Sequence, residues 1–162
     1  MNMKTLIVMS VLKVICYTFI KSITPTTKVH FKEDEGSYYS NDNEINIQLD
    51  FRKENVANFT EHLYTQHKCK VAYKIHPYIW KMLHEIGHFY TIEHCEEDPW
   101  ALVVLEIENT NCKTKEEKKD IDFVYFNMPI EYAATDWAAN FVKNNKKKII
   151  FYNKIFNFIN KL

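Results

Sequence analysis

Residues 77–89 read PYIWKMLHEIGHF, and this stretch decides the kind of fold that the chain adopts. Pro77 suits the first turn of a helix, where a backbone N–H is not needed. The apolar residues that follow recur every three or four positions, which is the period of a helix with one buried face. They are Ile79, Met82, Leu83, Ile86 and Phe89. The stretch therefore predicts an amphipathic helix packed into the core.

The same helix carries the motif His84-Glu85-Ile86-Gly87-His88. Histidines at this spacing lie one turn apart on one face of a helix, so their ring nitrogens can bind a single Zn²⁺ at about 2.0–2.1 Å. Glu85 points about 100° around the helix from His84, beside the metal and not onto it. The motif predicts a zinc site in which His84 and His88 are ligands, the metal activates a water molecule, and Glu85 is the general base.

A zinc site of this kind needs a third protein ligand, and the sequence offers several. His94 stands at the last histidine of the longer motif H-E-x-x-H-x-x-G-x-x-H, but Thr91 replaces the glycine at which that chain turns sharply. Glu106 and Glu108 lie about as far downstream as the glutamate ligand of thermolysin-like enzymes, although bulky apolar residues precede them. All three stay open as candidates.

Glu131 is the best candidate for the third ligand. It shares one helical face with Ala134 and Ala138, whose small side chains would let this helix approach the zinc helix closely. A short carboxylate side chain needs such an approach to reach the metal. Asp136 could orient a ligand histidine through its other ring nitrogen, although an aspartate that faces solvent is the more common arrangement.

The N-terminal half predicts a small antiparallel sheet. Thr27–Phe31 is rich in β-branched residues, and Ser37–Leu49 contains two apolar stretches separated by the turn-forming cluster Asn41-Asp42-Asn43. A strand followed by a hairpin fits this pattern. From Lys53 onward the period becomes helical. The fold class is therefore α+β, with the small N-terminal antiparallel sheet packed on a mostly helical, zincin-like domain.

The remaining segments are predicted to be helices at the ends of the chain and around the motifs. Residues 1–23 form an apolar N-terminal helix, because Lys13 interrupts the apolar run too early for a membrane span; a signal or anchor is the alternative. Asp98-Pro99 opens a helix to about Glu108, and Pro129 opens another to about Lys143. Residues 144–162 form a C-terminal amphipathic helix.

Composition indicates one domain, residues 1–162, and excludes several function classes. A net charge of zero gives no reason to expect nucleic acid as a partner, and only two glycines leave no loop for cradling phosphates. The four cysteines contain no C-x-x-C pair, which favours reduced thiols in the cytoplasm.

Two segments together resemble the ImmA/IrrE family of bacterial and phage metallopeptidases. That family shows H-E-x-x-H followed by E-x-x-A-x-x-F/W-A, as in His84–His88 and then Glu131–Ala138 here. The resemblance covers roughly residues 25–143. It implies a gluzincin-like fold, His84, His88 and Glu131 as zinc ligands and Glu85 as the catalytic acid and base. Two features depart from the family pattern: Thr135 stands where asparagine is common, and the gap between the motifs is longer.

The leading functional hypothesis is a cytoplasmic zinc metalloendopeptidase that cuts a protein or peptide, such as a repressor or another regulator. No direct nucleic-acid binding and no membrane partner are expected. One alternative is a non-catalytic regulator that uses zinc for binding. Another is a small secreted or membrane-anchored metallopeptidase with His94 as its third ligand.

Overall fold

A computed structural model of the protein describes residues 3–32, 37–40, 42–49, 53–92, 104 and 107–159. Within these residues the fold is mixed α and β with helices dominant, so the predicted α+β class is confirmed, while the zincin-like arrangement stays a prediction. The helices are α1 (Met3–Lys21), α2 (Lys53–Thr65), α3 (Pro77–Thr91), α4 (Lys115–Phe126), α5 (Pro129–Asn144) and α6 (Lys146–Ile159). The strands are β1 (Lys28–His30), β2 (Tyr38–Ser40) and β3 (Glu44–Asn46), and a 3₁₀ turn spans Ala72–Lys74.

The three strands form one sheet in the order β1-β3-β2. β2 and β3 pair antiparallel, which confirms the predicted hairpin, and Asn43 turns the chain between them with φ of 60°. The prediction of an entirely antiparallel sheet is wrong, because β1 pairs parallel with β3. β3 inserts between the other two strands, where its backbone is covered on both edges. Buried Asn46 locks this arrangement through hydrogen bonds to the backbone N–H (2.7 Å) and carbonyl (3.0 Å) of Lys32.

Helix α3 lies at the centre of the core, as the apolar period of residues 77–89 predicts. Its residues from Met82 to His88 are all buried. His76 caps the helix: its ring Nδ1 accepts a hydrogen bond from the backbone N–H of Tyr78 at 3.3 Å, and Pro77 follows in the first turn. The indole of Trp80 is 1% exposed, and its N–H donates to the Ala72 carbonyl at 3.0 Å.

The predicted N-terminal helix is confirmed as α1, which contributes to the same core. Leu12, Cys16, Phe19 and Ile20 are buried on the face that α1 turns toward the other helices. Burial raises the pKa of the Cys16 thiol to about 12. Across the described ranges, the helices are each too short or too polar to cross a membrane.

Two helices of the C-terminal half begin where sequence signals for a helix start occur. α4 begins with a capping box in which Thr114 and Glu117 exchange hydrogen bonds, and α5 begins at Pro129 as predicted. α6 confirms the predicted C-terminal helix. The helix predicted from Asp98-Pro99 to about Glu108 lies largely outside the described residues, although residues 107–111 are helical.

The closest packing in the core joins α3 to α5 at Gly87. A Cβ atom placed on Gly87 would lie 2.9 Å from both the Cα and the carbonyl carbon of Ala134, and would press still closer to its carbonyl oxygen. Ala134 and Ala138 are fully buried. This contact confirms that the small residues of α5 let it approach the helix of the histidine motif.

Replacing Gly87 with alanine should destabilise the protein by about 1–3 kcal/mol, because the added methyl group overpacks the contact with Ala134. Helix propensity alone predicts the opposite sign, since alanine is favoured over glycine in a helix by about 1 kcal/mol. The free energy of unfolding in urea measures the difference. Asn157→Ala, at an exposed position of α6, is the control and should not destabilise. A Gly87→Ala protein as stable as the wild type would contradict the close approach.

Candidate metal centre

Three buried side chains from α3 and α5 converge on one point. His84 Nε2 lies 3.2 Å from His88 Nε2 and 2.9 Å from Glu131 Oε2. His88 Nε2 lies 3.6 Å from Glu131 Oε1. Within the part of the chain that the structure describes, these three form the cluster of histidine, cysteine and carboxylate groups that could hold a metal ion.

The spacing of these atoms fits a metal ion. Ligand bonds of about 2.0–2.1 Å around a tetrahedral zinc ion place neighbouring ligand atoms about 3.3 Å apart. The observed separations, from 2.9 to 3.6 Å, bracket that value. Two imidazole nitrogens and one carboxylate oxygen are also a donor set that divalent transition metals accept, and three protein ligands leave a coordination position open. The residues present can therefore bind a divalent metal ion.

The electrostatics of the cluster prepare it for a cation. Burial alone would raise the pKa of the Glu131 carboxyl, but hydrogen bonds from His84 and His88 and their positive charge hold it well below its usual range. Burial alone would lower the pKa of His84, and the hydrogen bond to Glu131 with its negative charge raises it instead. Glu131 is thus held as a carboxylate, which is the form in which it could bind a cation.

A second residue of α5, Thr135, positions the ring of His84. The Oγ1 atom of Thr135 lies 3.1 Å from His84 Nδ1, and both residues are buried. When Nε2 faces the metal position, Nδ1 carries the hydrogen and donates it to Thr135, which fixes the tautomer that a ligand histidine needs. Sequence reasoning noted Thr135 only as a departure from a family pattern. Its spacing of one helical turn from Glu131 could have identified it.

Asp136, considered above as the partner of a ligand histidine, lies elsewhere. Its side chain is about half exposed, and its Oδ1 lies 3.4 Å from Nδ1 of His67. The more common solvent-facing arrangement is the one observed. The orienting group is therefore the hydroxyl of the preceding residue and not this carboxylate.

Glu85 is buried beside the cluster but is not one of its three members. It lines both of the cavities that open next to His84. Burial raises the pKa of the Glu85 carboxyl, and the charge of nearby Glu131 adds to this, while His84 and His88 act in the opposite sense. A carboxyl group placed this way can exchange a proton with a molecule in either cavity.

The larger cavity has a volume of about 550 Å³, and although polar and apolar residues both line it, most of its surface is apolar. Phe59, Trp80 and Phe126 contribute rings, and Phe59 packs edge-on against the imidazole of His84 with the ring centroids 5.4 Å apart. Two of the charged groups of its wall are paired: Asp122 pairs with Lys118 at 2.7 Å, and it also accepts a hydrogen bond from Asn58, behind the wall, at 2.8 Å. The cavity therefore suits an apolar group.

The smaller cavity, of about 380 Å³, lies over the metal cluster itself. His84, His88 and Glu131 line it together with strand β2. Among the described strands, β2 lies at an edge of the sheet. The two cavities share Ser37, His84, Glu85 and Tyr125, so they adjoin at the metal cluster.

The other predicted candidates do not join the cluster or cannot be placed. Glu108 is exposed on the helical segment 107–111 and lies outside the metal-binding group. His94 and Glu106 lie outside the described residues. The hydroxyl of Tyr90 donates to the Ile23 carbonyl at 3.3 Å, and the ring of Tyr132 packs on His67, so both tyrosines have structural contacts of their own.

One pairing of histidines was not predicted. His62 Nε2 lies 3.3 Å from His67 Nε2, although their sequence spacing suggested nothing beyond surface or core positions. Burial, together with the charge of His67, lowers the pKa of His62 to about 4, so this ring is neutral near pH 7. Neutral imidazoles can share a hydrogen bond. The ring of His62, on α2, packs against Phe126, and the ring of His67 packs against Tyr132.

Comparison of the chain with protein-family models, with curated proteins and with solved structures found no match. The resemblance to the ImmA/IrrE family stays a prediction carried by the residues of its two motifs.

Replacing Glu131 with alanine should remove metal binding, because it deletes one of three converging ligands and leaves two imidazoles. Purified wild-type protein is expected to hold about one equivalent of zinc per chain, measured by elemental mass spectrometry, and the variant much less. Glu108→Ala and His94→Ala serve as matched controls and should keep the zinc. Zinc retained in Glu131→Ala and lost in His94→Ala would overturn this ligand set.

Replacing Thr135 with valine should weaken zinc binding by about 10- to 100-fold, since the ring of His84 loses the group that fixes its tautomer. Competition with a fluorescent zinc chelator measures the affinity. Thr135→Ser keeps the hydroxyl group and should bind zinc nearly as the wild type does. Equal affinities for the valine and serine variants would show that the hydroxyl plays no such part.

Proposed function

We propose that the protein is a zinc-dependent metallopeptidase of the ImmA/IrrE type that hydrolyses peptide bonds. One observation carries the proposal: His84, His88 and Glu131 converge as a metal-binding group, while Glu85 lies beside them, outside that group and facing the same cavities. A structural metal site has no use for a buried carboxyl group next to an open position. A hydrolytic site needs one to move protons.

His84, His88 and Glu131 would hold the zinc ion, and Thr135 would orient His84. Zinc supplies Lewis-acid chemistry when bound, polarising a carbonyl group and easing the deprotonation of water. Glu85 accepts the proton of the water molecule that attacks the scissile carbonyl carbon. It then delivers that proton to the nitrogen of the departing amine. Burial raises the pKa of the Glu85 carboxyl, which brings it toward the value at which one group serves as both base and acid.

The surroundings of the site support an extended peptide as the substrate. Among the described strands, β2 lies at an edge of the sheet, and it lines the smaller cavity together with the metal cluster. Peptides commonly bind by lying along such a strand. Next to it, the larger cavity can take an apolar side chain of the substrate beside the scissile bond. The natural substrate we propose, from the family resemblance, is a repressor or another regulatory protein in the cytoplasm.

Glu85→Gln should lower peptidase activity by about 10²- to 10⁴-fold, because glutamine cannot accept or deliver the proton. Zinc content should stay at about one equivalent, since Glu85 is not a ligand. The measurement is cleavage of a quenched-fluorescence peptide library by the zinc-loaded protein, with Glu108→Gln as the control at an exposed position.

Two results would count against a peptidase. Full activity in Glu85→Gln would remove its assigned role. The second result has two parts: the zinc-loaded wild type cuts no peptide in the library, and the Glu85→Gln variant keeps the biological effect of the wild type. Together they would favour a non-catalytic zinc-binding regulator.

A further inference from the structure

The two ends of the chain carry positive charge only. Residues 1–32 and 143–162 contain eleven lysines and neither aspartate nor glutamate. All 21 acidic residues therefore lie in residues 33–142, together with the remaining ten basic residues. The zero net charge of the chain thus conceals a division into a basic part, formed by both ends, and an acidic middle.

The fold brings the two basic ends together. Helices α1 and α6 pack against each other, with the rings of Phe19 and Tyr152 edge to face at a centroid distance of 4.7 Å. At the end of α1, the ammonium group of Lys148 donates to the carbonyl of Ser22 at 3.1 Å. Seven of the eleven lysines therefore belong to these two neighbouring helices, three to α1 and four to α6.

Helix α1 is apolar on both of its faces, but the core covers only one. The outward side chains follow a helical stripe and are about half exposed or more, with Val14 the most exposed at 64%. They are Leu6, Ile7, Val11, Val14 and Tyr17. A helix that is apolar on all sides is normally buried on all sides. The exposed apolar stripe of α1 is therefore unusual for a helix of this composition.

Helix α6 repeats the pattern with larger side chains. Ile150, Phe151 and Phe158 are 55%, 59% and 64% exposed and lie on its outward face. Exposed Lys147 and Lys154 stand on the same face at helical spacing. Aromatic and aliphatic groups interleaved with lysines are characteristic of helices that lie in the interfacial region of a membrane.

Among the described residues, the lysines of α1 and α6 form no ion pair with an acidic side chain. The lysine ion pairs observed in that part of the chain involve Lys28 and Lys118. Three lysines, Lys146, Lys147 and Lys148, also occupy the first turn of α6, where the helix dipole disfavours positive charge. An external anion would pair with these lysines and would also reduce their unfavourable interaction with the helix dipole.

We propose that this surface docks the protein on an anionic membrane. The α1/α6 face is defined by the apolar residues Leu6, Ile7, Val14, Ile150, Phe151 and Phe158 and by Lys13, Lys147 and Lys154. Its apolar groups enter the region between headgroups and acyl chains, and its lysines bind the phosphate and carboxylate groups of anionic lipids. This inference is independent of the proposed enzymatic activity and departs from the expectation, drawn from sequence, that the protein has no membrane partner.

The chemistry of the face favours lipid over other occupants. A second copy of the chain would bring like charges together, because the face contains lysines and no acidic residue. Nucleic acid would use the lysines but has no place for exposed leucine, isoleucine and valine side chains. Anionic lipid satisfies both kinds of group at once.

Docking through this face would leave the candidate site accessible. Of the described residues that line the two cavities, none belongs to α1 or α6. The cavities are lined by β2 and the residue before it, by Gln48, which lies two residues after β3, by helices α2 to α5, and by Ile92 and Asn109. The side chains that would contact lipid are therefore not those that line the candidate site.

Co-sedimentation of the zinc-loaded full chain with vesicles tests the proposal. Vesicles of phosphatidylcholine with 30% phosphatidylserine should bind the protein at least about tenfold more tightly than pure phosphatidylcholine, and 0.5 M NaCl should remove most of that difference. Phe151→Ser/Phe158→Ser should weaken binding by about tenfold or more, and Lys147→Glu/Lys154→Glu by a similar factor.

A matched pair on α4 provides the control. Phe123→Ser/Lys119→Glu alters an exposed phenylalanine and an exposed lysine on another side of the molecule and should bind vesicles as the wild type does. Circular dichroism and zinc content should be unchanged in every variant, since all of these side chains are exposed. Equal binding to both kinds of vesicle, an equal loss in the control pair, or binding to an acidic polypeptide such as polyglutamate without binding to vesicles would overturn the proposal.

Discussion

The contact between Gly87 and Ala134 is the constraint on which the candidate site depends. Because Gly87 has no side chain, the backbone of α5 can lie against α3 within the histidine motif itself. One turn before Ala134, Glu131 then reaches both histidines with a short side chain. Thr135, the residue after Ala134, reaches the opposite nitrogen of His84. A single close approach of two helices thus places a ligand and its orienting group.

The features that sequence reasoning predicted well are those decided by local periodicity. Helix α3 follows from the spacing of its apolar residues and from Pro77, and the approach of α5 follows from Ala134 and Ala138, since small side chains permit little else at a buried helix contact. The hairpin follows from the turn-forming residues around Asn43, which adopts the positive φ that this position requires. Each of these signals lies within one short stretch of chain.

What the sequence could not predict depends on which distant residues meet. The parallel pairing of β1 with β3 is set by the insertion of one strand between two others, and no local pattern records the order of strands in a sheet. Asn46 alternates in sequence with the apolar residues Ile45 and Ile47, which is the pattern of a solvent-facing strand residue. It is nevertheless buried, and its side chain hydrogen-bonds to the backbone of Lys32. His62 and His67 meet because the chain turns back after α2, and residue spacing alone does not show that turn.

The metal ligands are held in place by each other and by helix packing, not by a flexible loop. His84 and His88 share one helix, Glu131 lies in the first turn of another, and the imidazole of His84 hydrogen-bonds to the carboxylate. A substitution that shifts α5 against α3 would therefore move a ligand and its orienting group together. The metal affinity of the centre is in this sense a readout of how tightly the two helices pack.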